Sequence, residues 1–335
     1  METSELLRPI AETVKLPTVP PNKPVFFVGD IMLGRHVEYL MTVHGPDYPF
    51  KNLGFFKNES AYVVGNFEAS VPLVHEKTPN FGFRFSVAEK YLPELALAGF
   101  THLSLANNHS SDFGQSGLLH TRESLTESSF KVFGDSRLIA ASTTISYLDL
   151  VDTRVALIGL HTLFNMPTEK AIQVLLQTAS LESDMQIVYI HWGTEYVLAP
   201  TSVEENLARI LVKAGADLII GHHPHVVQSI QMVDGVPVFY SLGNFIFDQY
   251  FSLDVQQGLA LKLEIGKESS LLTLLPVTSV GSFAQPRLMR EGEGRTFLHS
   301  LAERSDTALK VGIKSGSLSF TPRLATSTET AIVEE

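Results

Sequence analysis

Three histidines in four positions, His222, His223 and His225, follow the apolar run Leu218-Ile219-Ile220 and Gly221. Imidazole is a common metal ligand, and such a tract directly after a strand-like run points to metal binding. His223 and His225 are two apart, so an extended segment would project both to one side. Other apolar runs end in a similar way. Val25 to Val28 leads to Gly29-Asp30, and Ala61 to Val64 leads to Gly65-Asn66-Phe67-Glu68. Leu103-Ser104-Leu105 leads to Asn107-Asn108-His109, and Ile187 to Ile190 ends at His191. Carboxylate, amide and imidazole together suit a borderline divalent ion. Two such ions about 3.5–4 Å apart would clamp a phosphoryl group and supply a hydroxide nucleophile.

Each piece also has a plainer reading. Gly29-Asp30 is an ordinary turn pair, and Asn66 and Glu68 suit a helix cap. Asn107-Asn108-His109 suits a polar turn, and His191 beside Trp192 suits a satisfied interior histidine. The histidine tract tips the balance toward a metal. His36, His44, His75, His102, His120, His161 and His299 lack such company and read as surface or packing residues.

The elements that must position these groups are legible as alternating patterns. The apolar runs, with Val155 to Leu160 and Val238 to Tyr240, read as strands. Helices are predicted at about 202–214, at about 115–128, and just before Gly99, ending near Ala98. For the first, Ser202 and Glu205 form a capping box and Gly215 a stop. The alternation predicts an α/β sheet protein, and ligands in such sheets bind beyond the carboxyl ends of the strands. Residues 1–23, with Pro17, Pro20 and Pro21, are expected as a flexible lead-in. Beyond about Ile265 the pattern turns to strand-like runs. Residues 284–335 are expected as an irregular extension ending in a tail.

Composition narrows the classes. The chain has 335 residues, 44% hydrophobic and 18% charged, ample for a large core. A formal charge of -11 disfavours a nucleic-acid partner, although a bound metal would still admit an anionic substrate. The lack of cysteine excludes disulfides, thiolate zinc sites and a cysteine nucleophile. No apolar run is long enough to span a bilayer, and the N-terminus lacks a secretory h-region. The chain as given reads as soluble, either cytoplasmic or peripheral to a membrane, with an omitted anchor left open. There is no G-x-S-x-G elbow, P-loop or Rossmann glycine fingerprint.

Six segments stand in a telling order: Gly29 to Arg35, Asn66 to Glu68, Leu105 to Gly114, His191 to Tyr196, Gly221 to Gln228 and Tyr240 to Asp248. Together they resemble the motif set of the CapA-type poly-γ-glutamate capsule-synthesis family, related to calcineurin-like metallophosphoesterases. The resemblance spans residues 24–283 and implies a four-layer α-β-β-α sandwich with a site at the strand ends. Residue by residue, it makes Asp30, Asn108, His191, His223 and His225 metal ligands and His109 the catalytic histidine. Glu68 stands where the wider superfamily has a bridging Asp, and His222 enters the set if the alignment slides by one. One or two divalent ions are implied, with Mn, Zn and Fe all open.

One departure matters. The superfamily's first motif is Asp-x-His, but here it is Asp30-Ile31-Met32. A thioether is a poor ligand for a hard dication. One ion would then be weak, differently ligated or absent, with Glu195, Asn244 and Asp248 as substitutes. Arg35 and Arg84 could clamp an anionic substrate by forked hydrogen bonds, or form ordinary salt bridges. The implied function is metal-dependent hydrolysis in capsule or cell-envelope polymer metabolism. A metal-bound hydroxide would attack a phosphoester or related anionic bond of a small molecule or polymer, and His109 would protonate the leaving group. The machinery of envelope-polymer synthesis is the implied partner. Two alternatives stand beside it: a non-catalytic binding or scaffold component of polymer assembly or export, and a γ-glutamyl amide hydrolase or transferase.

Overall fold

The structure, a computed structural model, describes residues 23–323 apart from 58, 60, 80, 137 and 138. Of the lead-in expected at 1–23, residues 1–22 lie outside the described residues, as does the tail at 324–335.

Two sheets form the frame. The first holds β1 (Val25–Ile31), β2 (Tyr62–Phe67), β3 (His102–Ser104), β4 (Lys131–Phe133), β11 (Asn244–Ile246), β12 (Gln257–Ile265), β13 (Ser270–Thr278), β14 (Arg287–Leu288) and β15 (Ser317–Phe320). Its main order is β14-β13-β12-β1-β2-β3-β4, with β11 on β1 and β15 on β13. The second holds β5 (Ile145–Asp149), β6 (Arg154–His161), β7 (Met185–His191), β8 (Leu218–His222), β9 (Ile230–Val233) and β10 (Val236–Phe239). Its order is β5-β6-β7-β8-β10-β9. The helices are α1 (Arg35–His44), α2 (Gly54–Lys57), α3 (Leu92–Leu97), α4 (Gly114–Glu127), α5 (Ala141–Thr144), α6 (Glu169–Ser180), α7 (Ser202–Ala214), α8 (Glu291–Arg304) and α9 (Lys310–Ser315).

Strand periodicity explains the layering. In β1, Val25 and Phe27 face one way and meet Leu157, Ile187, Tyr189, Leu218 and Ile220 of the second sheet. Phe26 and Val28 face the other way, into a core shared with Val37, Leu40, Leu92, Leu95, Leu118 and Leu125 of the covering helices. The second sheet repeats this, with Ile158, Val188 and Ile219 packed under Ile172, Leu175, Leu207 and Leu211 of α6 and α7. Strands buried on both faces must be apolar throughout, which is why they read as continuous runs rather than alternating ones. The result is the four-layer α-β-β-α sandwich that the resemblance implied.

Two sequence expectations need correction. The cap of α7 is one residue earlier than the sequence suggested: Thr201 accepts from Val203 N, and Glu204 accepts from Thr201 N at 2.7 Å. The extension expected as irregular from 284 onward is built into the fold. Phe297, Leu298 and Leu301 of α8, with Ile313 of α9 and Leu318 and Phe320 of β15, join the core between the sheets. β15 pairs antiparallel with β13. The apolar stripe on α8 is narrow, and the helix opens on Glu-Gly-Glu-Gly, so its pattern is faint without the surface it covers. Among the described residues, no helix is long and apolar enough to cross a membrane.

Candidate metal centre

The parallel strands β6, β7 and β8 run in a register that aligns His161 with His191 and His191 with His222. In the facing sheet, Asp30 of β1 is registered with Asn66 of β2 and with Asn244 of β11. Both sheets thus deliver their polar residues at carboxyl ends. Two glycines make this possible. A Cβ on Gly29 would lie 1.9 Å from Gly243 O, and one on Gly221 would lie 2.0 Å from Tyr240 O. Each sits immediately before a site residue, where a neighbouring backbone crosses too closely for any side chain. The β1–β2 register shifts between Phe27 and Asp30, and Asp30 N donates to Gly243 O at 3.0 Å.

The histidine tract is not extended. His223 and His225 both adopt left-handed backbone, with φ of 95° and 58°. Their rings still converge, 5.8 Å apart, because a kinked turn around Pro224 aims them rather than strand alternation. Arg35 and Tyr196, also at the site, share this uncommon conformation, with φ of 50° and 63°. Such backbone costs about 1–3 kcal/mol per residue and persists where surrounding contacts over-determine it.

Glu68 is the centre of the arrangement. Its Oε1 is buried and has no hydrogen-bond partner. Three imidazole Nε2 atoms face that oxygen: His225 at 3.8 Å, His109 at 3.9 Å and His191 at 4.0 Å. These separations are too long for hydrogen bonds. For His191 and His225 they suit ligands that share one ion, each about 2.0–2.2 Å from it, whereas His109 falls in none of the donor groups that follow. Three groups of donors lie close enough to share an ion: Glu68, His191 and His223; Asp30, Glu68 and His225; and Glu195, His223 and His225. Burial raises the Glu68 carboxyl well above its usual range, and the charges of Asp30, Glu195 and Asp112 add to this. Burial lowers His191 well below the usual histidine range and His223 to about 3, which keeps their lone pairs available. A desolvated carboxylate ringed by imidazoles fits a divalent cation.

Hydrogen bonds orient the donors. Asp30 is met by His222 Nδ1 at 3.2 Å and His225 Nδ1 at 3.2 Å. Burial alone would raise Asp30, but these two rings hold it well below the usual carboxylate range. His222 supports Asp30 through Nδ1, while its Nε2 is buried without a partner; it falls in none of the three donor groups. Asn244 Oδ1 lies 3.0 Å from His225 Nδ1, leaving Nε2 to face Glu68. Asn66 donates to Asp30 Oδ1 at 2.9 Å and is itself bonded by Asn107 at 3.0 Å. Asn108 Oδ1 meets His191 Nε2 at 2.8 Å.

His109 is held on two sides. Its Nδ1 lies 2.9 Å from Asp112 Oδ2, which also accepts from Phe85 N at 2.7 Å. Its ring stacks on Phe85 with centroids 3.8 Å apart. The other nitrogen is thereby aimed at the cluster.

Three expected residues, Arg35, Asp248 and Arg84, are engaged by other protein groups. Arg35 forks onto Asp248 through two nitrogens and also donates to Gly82 O. Asp248 is thus occupied by a guanidinium; of the other two substitutes, Glu195 joins His223 and His225 in a donor group, and Asn244 bonds His225 Nδ1. Arg84 lies over the Phe113 ring and donates to Asp112 O. Met32 belongs to the apolar core, and its sulfur accepts from Gly34 N at 3.0 Å.

The sequence reading also passed over residues that matter. His161, classed with packing residues, ends β6 beside His191, with ring centroids 5.8 Å apart. Its Nε2 is buried without a partner, and burial lowers it to about 4. The signal was present, since His161 closes an apolar run just as His191 does. Asp112 carried a fainter one, an acid three residues after His109.

The sequence model of the family described as "Bacterial capsule synthesis protein PGA_cap" matches residues 24–249. The chain is 32% identical over 302 residues to the capsule biosynthesis protein CapA of Bacillus anthracis, covering 84% of this chain and 74% of that one. It is 33% identical over 257 residues to the PGA biosynthesis protein CapA of Bacillus subtilis (strain 168), covering 71% and 67%. Among solved structures, one titled as a novel phosphatase from Mycoplasma pneumoniae superposes with a TM-score of 0.47 at 15% identity, over 80% of this chain and 91% of that one. The chain belongs to the bacterial capsule synthesis protein family PGA_cap.

Proposed function

We propose that this protein is a metal-dependent hydrolase of capsule or envelope-polymer metabolism, acting on a phosphoester or a related anionic bond. The observation that carries this reading is the unpartnered Glu68 Oε1, faced by three imidazole nitrogens at 3.8–4.0 Å. Glu68, His191, His223, His225 and Asp30 would hold the ion, with Asn108 and Glu195 at its margin. A bound divalent ion supplies Lewis acidity, which stabilises charge on the reacting group and activates water. The chain's own residues then divide the remaining work. Asp112 accepts from His109 Nδ1, so the proton His109 can give away is the one on Nε2. That proton goes to the leaving oxygen as its bond to the substrate breaks; the oxygen of water takes the vacated place, and the proton water gives up is returned to His109 through solvent, which restores the donor.

Purified protein is assayed for bound metal and then against phosphomonoesters, phosphodiesters and γ-glutamyl peptides. The reading requires metal and turnover of a phosphoester; turnover of the peptides alone moves the chemistry to an amide. A second reading, a binding component without turnover, draws on Met32, whose place in the core removes one ligand position from the first motif. Metal retained with no turnover in any class would favour it.

A further inference from the structure

A groove of about 550 Å³ opens onto the metal centre and shares His109, Glu195 and His225 with it. Its other walls are largely aromatic. Phe81, Phe83 and Phe251 are 90%, 79% and 67% exposed, so they contribute little to the core. Phe85, Tyr196 and Tyr250 also line it, and Tyr196 meets Phe251 edge to face at 5.1 Å. Exposed rings gathered at one mouth are costly to leave in water and mark a binding surface.

The charges argue in the same direction. The one Lys or Arg among the lining residues is Arg35, whose fork is spent on Asp248. Glu195 adds a negative charge at the same mouth. Arg84, outside the lining, lies over Phe113, and Lys77, in the neighbouring hollow past His36, sits 5.5 Å from the Tyr39 ring centroid. A polyanion running along this groove would meet carboxylate and ring faces rather than free cations. An uncharged ring would find partners to stack on.

We propose that the groove binds an uncharged, ring-bearing group of the substrate next to the scissile bond, with negative charge confined to the reacting centre. This rests on the hydrolase reading for the position of that centre, and on the aromatic walls for the rest. The specificity residues are Phe83 and Phe251, assisted by Phe81.

The test is calorimetric titration of the full-length, metal-loaded protein with phenylphosphonate, methylphosphonate and penta-γ-glutamate. Phenylphosphonate should bind at least about 5-fold more tightly than methylphosphonate. Phe83→Ala and Phe251→Ala should bring that ratio toward one. Both rings are largely exposed, so the variants should keep the wild-type melting temperature. A glucosyl phosphonate in the same series separates a sugar ring from an aryl ring; tighter binding of either than of methylphosphonate supports the proposal. Equal affinity for all phosphonates, or tighter binding of penta-γ-glutamate than of any ring, overturns it. A ring preference without turnover of any phosphoester sinks the hydrolase reading and leaves the groove's preference standing. Phosphoester turnover without a ring preference does the reverse.

Discussion

Two polar clusters in this molecule use the same residue types to opposite effect. Near α1, Glu38 Oε1 lies 2.9 Å from His75 Nε2, and His75 Nδ1 lies 2.7 Å from Ser86 Oγ. On paper this is a serine-histidine-acid arrangement. Yet Ser86 is fully buried, and both ring nitrogens of His75 are already satisfied. Glu38 keeps one oxygen without a partner, but the ring beside it has nothing left to offer. At the strand ends, by contrast, the separations around Glu68 are too long for hydrogen bonds and too regular for neglect. Short contacts that satisfy both nitrogens of one ring hold a loop in place; rings that converge at nearly 4 Å on an unpartnered carboxylate oxygen hold something else. Spacing and satisfaction, more than residue type, separate a clamp from a site.

That contrast can be broken in several places. The largest effect is expected from His109→Gln, which removes the proposed proton donor and should lower turnover by about 10²–10⁴-fold. Metal content should stay near wild type. Loss of metal in that variant would make His109 a ligand, and equal slowing of substrates with good and poor leaving groups would remove it as the proton donor. Glu68→Gln should come next, weakening metal binding on the order of 100-fold or more, beyond what loss of a supporting residue costs. Stripped of metal, the same variant should melt no lower than the wild type, because a desolvated carboxylate has been neutralised. A lower melting temperature there would mean that Glu68 serves the fold.

A third test uses His102, at the start of β3, the end remote from the site. Burial lowers its pKa to about 4. The unfolded chain binds that proton near pH 6.5 and the folded chain does not. Stability is therefore full above about pH 6.5 and falls as pH drops toward 4. Between about pH 7.5 and about pH 5 the wild type should lose about 2 kcal/mol more than His102→Gln, with metal saturating in both. Identical slopes in urea unfolding would show that His102 is protonated in the fold. The smallest effect is expected from Ser86→Ala, about 1 kcal/mol of stability for one buried hydrogen bond, with turnover unchanged. A collapse of activity in Ser86→Ala would erase the distinction between the two clusters.

Much of the candidate site was legible because its residues are local in sequence to the strands that carry them. Asp30, Glu68, Asn108, His191 and the histidine tract each close an apolar run, and a strand buried on both faces leaves an obvious run behind it. The layered fold was legible for the same reason. The roles of Arg35 and Asp248 were not. They are 213 residues apart, and only the folded chain shows that each is the other's partner. His161 looked solitary until the register of β6 with β7 brought it beside His191.

By itself, then, the sequence determined which residue types stand at the strand ends, and in what order. Hydrophobic periodicity and short-range capping are encoded within a few residues. Tertiary structure decided which of those ends meet. It set the crossing at Gly29 and Gly221, turned His223 and His225 by a left-handed kink, sent Met32 into the core and drew α8 and β15 into the sandwich. Convergence of distant groups depends on register and on close backbone contacts between strands, and no local pattern carries that information.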